Sequence, residues 1–298
     1  HDNYGDDHRD YGNERCNLFL LLRLLMNIYS YNPVHFERWD WTNIDTGIGG
    51  SETNAREWAW RLAQRGHNVT VYAPVPWESG GRGWRKTIWK PLGEADFSKP
   101  GLWLLYRCPE AIDQLTDPHP EQQLWFVAQD EAYPTWTPER IAKVDRIITL
   151  CDAHRQHFLR NQPEEVASKT CIGSNGLRMD LIRRIEAGGI PGRNPRKLLY
   201  ASSPDRGLRA LLAIFRRARE WVTDLELHIT YGFENINKLE KLNPEAWRTI
   251  VRQRDEILRM AEQPGVVWHG RVSQGELYRE WLTTGIWCYP TLFTETSC

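Results

Sequence analysis

The 298-residue sequence lacks a surplus of charge of either sign: 38 Lys and Arg face 39 Asp and Glu, for a net charge of −1. A nucleic-acid binder that neutralises phosphates needs excess cations, so that class is disfavoured. Long apolar runs are also missing. The longest, Leu18 to Met26, is broken by Arg23, whereas a membrane helix needs ~20 apolar residues. The cysteines, at 16, 108, 151, 171, 288 and 298, never stand in CxxC spacing. That argues against a zinc ribbon or a redox dithiol, and for buried, reduced thiols in a cytosolic protein. No signal-peptide pattern opens the chain. It begins at His1, with Asp2, Asp6, Asp7 and Asp10 crowding the start, and reads as the end of a fragment. What is plentiful is tryptophan, with 15 residues.

From residue 47 strand and helix patterns alternate. Gly47-Ile48-Gly49-Gly50 is a glycine-rich turn. Ala55, Trp58, Ala59, Leu62 and Ala63 then follow with the spacing of one helix face. Ser51 is the expected N-cap of that helix and Gly66 its stop. Val69, Val71 and Ala73 alternate with polar residues, so Asn68 to Ala73 reads as a strand. Residues 74–100 read as a looser stretch. Strands are expected at Leu102–Tyr106, Leu124–Ala128 and Arg146–Leu150, with Asp152 capping the next helix. The strand before Gly47 is poorly marked, and 34–39 is its expected place.

A second series begins near residue 197. Its expected strands are Leu198–Ala201, Glu226–Tyr231, Val266–His269 and Ile286–Tyr289, and its helices Gly207–Trp221, Pro244–Glu262 and Gln274–Thr283. Residues 178–196, with Gly188, Gly189, Pro191, Gly192 and Pro195, read as a linker. Such alternation implies parallel sheets covered on both faces. The expected fold is therefore α/β, with two Rossmann-like doubly wound domains at 33–177 and 197–298 and an unassigned segment at 1–32. Ligands of such sheets bind beyond the carboxyl ends of the strands, so the cleft between the domains is the expected site.

These residues resemble a known family. Gly47-Ile48-Gly49-Gly50-Ser51-Glu52, followed by Gly66-His67-Asn68-Val69, resembles the start of a family 4 glycosyltransferase of the two-domain GT-B fold. Ser174-Asn175-Gly176 is similar to the segment ending that family's first domain. Ala201-Ser202-Ser203-Pro204-Asp205-Arg206-Gly207-Leu208 is similar to its donor loop. Tyr289-Pro290-Thr291-Leu292-Phe293-Thr294-Glu295 is similar to the opening of its E-x7-E motif. The second Glu of that motif would fall beyond Cys298, so the resemblance implies an incomplete donor domain. Gln129-Asp130 stands where many relatives carry a His, and the family's usual Arg and Lys of the donor loop are reduced to Arg206.

The resemblance implies transfer of a sugar from a nucleotide-sugar donor, with retention and without metal. The absence of any Asp-x-Asp fits that expectation. It assigns the donor diphosphate to Arg206, whose guanidinium suits developing negative charge at a helix N-terminus, and donor hydroxyls to Glu295. Asp130 would orient the acceptor hydroxyl or the donor sugar. Gly49, Gly50, Ser203, Gly207, Gly232, Thr294 and Thr296 would line the donor. Glu52 either shares that loop or simply favours the helix N-terminus. The donor is a substrate, and no separate cofactor is expected. The acceptor is an unspecified glycan, lipid-linked group or protein, and the location cytoplasmic or peripheral at a membrane.

Other readings are weaker. Cys151, His154 and His157 lack a fourth zinc ligand. His228 and His269 read as packed histidines in strands. Arg82, Trp84, Arg85, Lys86, Trp89 and Lys90 form a basic-aromatic stretch that suits anionic lipid, a phosphate-bearing acceptor or a solvated loop with Trp anchors. A Rossmann dehydrogenase would need a third glycine that the GIGG segment lacks. A DNA-modifying enzyme of the same fold is disfavoured by the neutral charge. A non-catalytic sugar-nucleotide binder or scaffold on the fold is the alternative.

Overall fold

In a computed structural model of the chain, residues 25–34, 38–42, 47–75, 81–116, 118–130, 133–233 and 244–296 are described. Strand β1 (Asn27–Tyr31) is the hub of the first sheet. It pairs in parallel with β2 (Asn68–Ala73) on one side and β5 (Gly101–Tyr106) on the other, so Ile28 sits opposite both Val69 and Leu102. Beyond β2 lie β4 (Thr87–Pro91) and β3 (Arg82–Trp84). Beyond β5 lie β6 (Gln122–Val127), β7 (Arg146–Thr149) and β8 (Thr170–Ile172). The order of this eight-stranded sheet is β3-β4-β2-β1-β5-β6-β7-β8. Only the β3–β4 pair is antiparallel.

Helices cover both faces, because successive strand residues point to opposite sides. Leu102 and Leu104 pack with Ala55, Ala59 and Leu62 of α1 (Gly50–Gln64). Trp103 and Leu105 pack on the other face, with Ile141 of α2 (Pro138–Lys143), Phe158 of α3 (Asp152–Leu159) and Val166 of α4 (Glu164–Lys169). Trp39, Trp89, Trp103 and Trp136 are essentially fully buried. An indole removes on the order of 200 Å² from water, a gross gain of about 5 kcal/mol each. Tryptophan thus supplies much of a core that has no long aliphatic run.

Helix α5 (Met179–Ala187) leads to the second sheet. Its order is β11 (Val266–Trp268), β10 (Glu226–Ile229), β9 (Asn194–Tyr200) and β12 (Thr284–Trp287), all parallel. One face packs Leu198, Tyr200, Leu227 and Ile229 against Leu211 and Phe215 of α6 (Leu208–Trp221) and Ile257 of α7 (Pro244–Ala261). The other faces α8 (Gln274–Thr283), whose Ser273 and Glu276 form a capping box. No helix among the described residues is long and apolar enough to cross a membrane.

Several expectations need correcting. The first strand is Asn27–Tyr31 rather than 34–39, of which 35–37 lie outside the described residues. Residues 74–100 hold a hairpin and not only loop, and Trp89 is core. The stretch 178–196 contains α5 and the start of β9. Helix α1 starts two residues early, with Gly49 as its N-cap and Ser51 inside it. Helix α3 is capped by Cys151, whose sulfur accepts from His154 N at 3.4 Å, and not by Asp152. Cys171 is disulfide-bonded, against the expectation of reduced thiols, while Cys108, Cys151 and Cys288 are free and only partly buried. Residues 1–24, including Cys16 and most of the 18–26 apolar run, and Cys298 lie outside the described residues.

Candidate active site

In a doubly wound sheet, the ligand crevice lies where strand order reverses. In the first sheet that point is between β1 and β5. Arg107 leaves the end of β5 with φ +63°, a left-handed backbone for a non-glycine residue, which costs on the order of 1–3 kcal/mol unless its surroundings hold it. They do. Its guanidinium donates to both carboxylate oxygens of Asp130, beyond β6, at 2.7–3.0 Å. Nη1 also lies 3.6 Å from Glu52 in the first turn of α1. Burial opposes the Arg107 charge, but the hydrogen bonds and charges of Asp130 and Glu52 outweigh it and raise the pKa. Glu52 thus faces this crevice.

In the second sheet the reversal lies between β9 and β12. The loop after β9 turns at Ser203, whose carbonyl accepts from Arg206 N at 2.9 Å and from Tyr200 Oη at 2.7 Å. It then enters α6 through Gly207, with φ +96°. A Cβ there would lie 2.1 Å from the carbonyl oxygen of Pro290 in the loop after β12. Glycine therefore lets the two loops touch. On that contact Arg206 pairs with Glu295 at 3.1 Å and lies over the Phe293 ring at 3.9 Å. The Tyr289 hydroxyl donates to the same Glu295 oxygen.

The two crevices meet. Thr296 Oγ1 donates to the carbonyl of Gln129 at 3.0 Å, and the Cys151 thiol donates to the Thr296 carbonyl at 3.2 Å. Across the cleft Gly47 (φ +75°) leaves no room for a Cβ, which would lie 2.6 Å from Val272 O. Next to this seam lies His154. Its Nδ1 accepts from Leu150 N at 3.1 Å and its Nε2 faces the Asp130 carbonyl at 3.0 Å. Both ring nitrogens are engaged, which removes His154 from the weak Cys151–His154–His157 zinc reading.

A cavity of about 610 Å³ opens between the halves. The first half lines it with Gly47, Gly50, Asn54, Arg56, Glu57 and the segment Ser174–Arg178. The second half lines it with Ala201, Thr230, Tyr231, Arg271, Val272 and Gln274. Arg56 is 1% exposed, and its Nε and Nη1 have no hydrogen-bond partner among the described residues. Burial pushes its pKa down. Glu57 opposes that, and the charges of Arg178 and Arg85 reinforce it. A buried cation with unmatched donors is costly, and an anionic group in the cavity would match them. Arg178 is held by Asp180, at 2.8 Å, and Glu57, at 3.4 Å.

The structure brings Arg206, Glu295 and Thr296 together, and places Glu52 and Asp130 around Arg107. Only Gly50 of the sequence-predicted residues lines the cavity. Asp130 is turned to Arg107, Thr294 is exposed, and Gly232 is buried in the chain leaving β10. Arg107, Arg56 and Tyr289 were not expected. Arg107 follows an expected apolar strand and Tyr289 opens the segment similar to the E-x7-E motif, whereas Arg56 carried no sequence signal. The basic-aromatic stretch is partly used internally, since Arg85 lies over the Trp60 and Trp84 rings at 4.1 and 4.9 Å.

No family pattern and no curated protein sequence matches the chain. Solved structures do. Sucrose-phosphate synthase from Thermosynechococcus elongatus aligns with a TM-score of 0.58 at 13% identity, over 90% of this chain and 76% of that one. A glycosyltransferase from Rickettsia africae aligns at 0.53 and 12%, over 91% and 74%. Anabaena HepE in complex with UDP and glucose aligns at 0.51 and 11%, over 91% and 76%. The chain has the GT-B fold of these glycosyltransferase structures, with its two sheets facing each other across one cleft.

Proposed function

We propose that the protein is a glycosyltransferase that moves a sugar from a nucleoside-diphosphate donor to an acceptor, with retention and without metal, in the manner of family 4. The observation that carries the reading is Arg206 beside Glu295 at the N-terminus of α6, on the reversal point of the second sheet. That helix end and guanidinium suit a diphosphate whose negative charge grows as the sugar leaves. HepE, of the same fold, was solved with UDP and glucose, which supports a nucleotide-sugar donor.

In this reading Arg206 binds the diphosphate, with the amides near Ser203 and Gly207. Glu295 accepts from donor hydroxyls, helped by the backbone at Thr294 and Thr296, and Gly232 closes the donor side. Gly49 and Gly50 let the backbone approach the donor closely. Asp130 and Glu52, fixed by Arg107, position the acceptor. The acceptor attacks on the face the diphosphate leaves, and the leaving oxygen takes the acceptor proton. The protein contributes positioning and electrostatics.

Calorimetric titration of UDP, GDP and ADP into wild type and Arg206→Ala tests this. One nucleotide is expected to bind. Loss of a charge-assisted contact should weaken it by roughly tenfold to hundredfold. No binding to the folded chain, or equal binding to the variant, would sink the donor assignment. Binding with no transfer or hydrolysis of the matching nucleotide sugar would favour the non-catalytic alternative.

A further inference from the structure

The face of the second sheet under α8 is only partly apolar. Leu199 is fully buried there, but its neighbours include Lys197 and His228. His228 projects from β10 on the side opposite Leu227 and Ile229, which belong to the core under α6. His269 follows β11, and Glu280 comes down from α8. Their ligand-type atoms converge. His269 Nε2 is 2.9 Å from His228 Nδ1, His228 Nδ1 is 3.0 Å from Glu280 Oε2, and His269 Nε2 is 3.8 Å from that oxygen. These separations form a triangle with a circumradius of about 1.9 Å, so a point just out of its plane lies about 2.0–2.1 Å from all three atoms, the bonding distance of zinc to nitrogen and carboxylate oxygen.

We propose that His228, His269 and Glu280 form a zinc-class divalent metal site that ties α8 to β10 and β11. Two imidazoles and one carboxylate suit Zn²⁺, with water as the fourth ligand. The three side chains are 14%, 29% and 19% exposed, which leaves an entry path and room for that water. The surrounding groups match as well. Glu226 Oε2 lies 3.5 Å from His228 Nε2, the ring nitrogen facing away from the site, close enough for its charge to act but without a hydrogen bond. A carboxylate there favours the tautomer with Nδ1 free to ligate. Lys197 Nζ holds the same oxygen, Glu280 Oε2, at 2.8 Å and is itself 2.9 Å from Thr283 Oγ1, so the ligating oxygen is fixed in place by a neighbouring ammonium. The charge of Lys197 works against a cation, and the carboxylates of Glu280 and Glu226 offset it. None of the three ligands lines the cleft cavity. The site is structural. By fixing α8 it fixes Gln274 and Leu277, which do line the cavity, and Tyr278, whose hydroxyl accepts from Arg178 N at 3.2 Å.

The test uses the full chain, stripped with a chelator and titrated with Zn²⁺ by calorimetry and thermal unfolding. One equivalent should bind with micromolar affinity or better and raise Tm. His228→Ala and His269→Ala should each weaken binding beyond the ~10- to 100-fold that losing a surrounding hydrogen bond costs. Glu226→Gln, which removes a nearby charge but no hydrogen bond, should weaken it by less than about tenfold. His119→Ala, in an exposed loop, should leave it unchanged. Far-UV circular dichroism of each variant separates lost ligands from lost folding. His269→Ala, at the sheet end, is the variant expected to keep its fold in any case. Failure to bind Zn²⁺ at micromolar concentrations, or binding that survives both histidine variants, would overturn the site. Neither readout involves nucleotide or transfer, so the result is independent of the glycosyltransferase reading.

Discussion

The two sheets are built alike and stabilised differently. The first buries both faces under aromatic and aliphatic side chains. The second has one such face, and its other face carries Lys197 and His228, which meet Glu280 of α8. Their crevices differ in parallel. At the first, a guanidinium is clamped between two carboxylates on a strained backbone. At the second, a guanidinium and a carboxylate meet on a loop contact that only glycine permits. The first sheet thus reads as a rigid platform. The second depends on a few close contacts, and changes there should disturb function first.

The largest effect is expected at Gly207. Gly207→Ala puts a methyl into left-handed backbone, costing ~1–2 kcal/mol, and into the Pro290 carbonyl 2.1 Å away, where overpacking costs ~1–3 kcal/mol more. Urea unfolding should show a loss on the order of 3 kcal/mol, with nucleotide binding abolished. A stable variant with unchanged binding would mean that the two loops do not need their contact.

A smaller effect separates backbone from side chain at the first crevice. Arg107→Ala loses the ion pairs and keeps the strained φ, whereas Arg107→Gly loses the pairs and relieves the strain. Arg107→Gly should therefore be more stable than Arg107→Ala by roughly 1 kcal/mol in denaturant unfolding. Equal stability would show that the strain is not carried there.

The smallest effect concerns pH. Hydrogen bonding from Arg178, supported by the charges of Arg178 and Arg61, holds the Asp180 carboxyl well below the usual carboxylate range. Its stabilising contribution is fully present above the ordinary value of about 4 and is lost as pH falls below it. Asp180→Asn should flatten that part of the acid-unfolding curve slightly, because the side chain is 36% exposed. An unchanged curve would remove Asp180 from the account of the seam between α1 and α5.

Strands with clean alternation or compact apolar runs were legible in the sequence. Asn68–Ala73 and helix Gln274–Thr283 have the expected bounds. Strand β1 was not legible, because NIYSY mixes tyrosines with polar residues and its buried Ser30 and Tyr31 look exposed on paper. The β3–β4 hairpin was hidden by its turn. Arg85 and Lys86 both take positive φ, 47° and 68°, without the Asn or Gly that usually announces such a turn. The motifs that carry the family resemblance pointed to Arg206 and Glu295 one by one, but their ion pair needed the fold, which brings the loops after β9 and β12 together. Arg107, Arg56 and the His228–His269–Glu280 cluster needed tertiary structure, since each acquires its meaning from residues distant in the chain.

The central claim is that both crevices belong to one nucleotide-sugar site. Hydrogen–deuterium exchange with and without the nucleotide that binds tests it most directly. The account predicts slowed exchange at 201–207 and 288–296 in the second half, and together with it at 47–53 and 174–178 in the first. Slowing confined to one half, or none at saturating nucleotide, would contradict it.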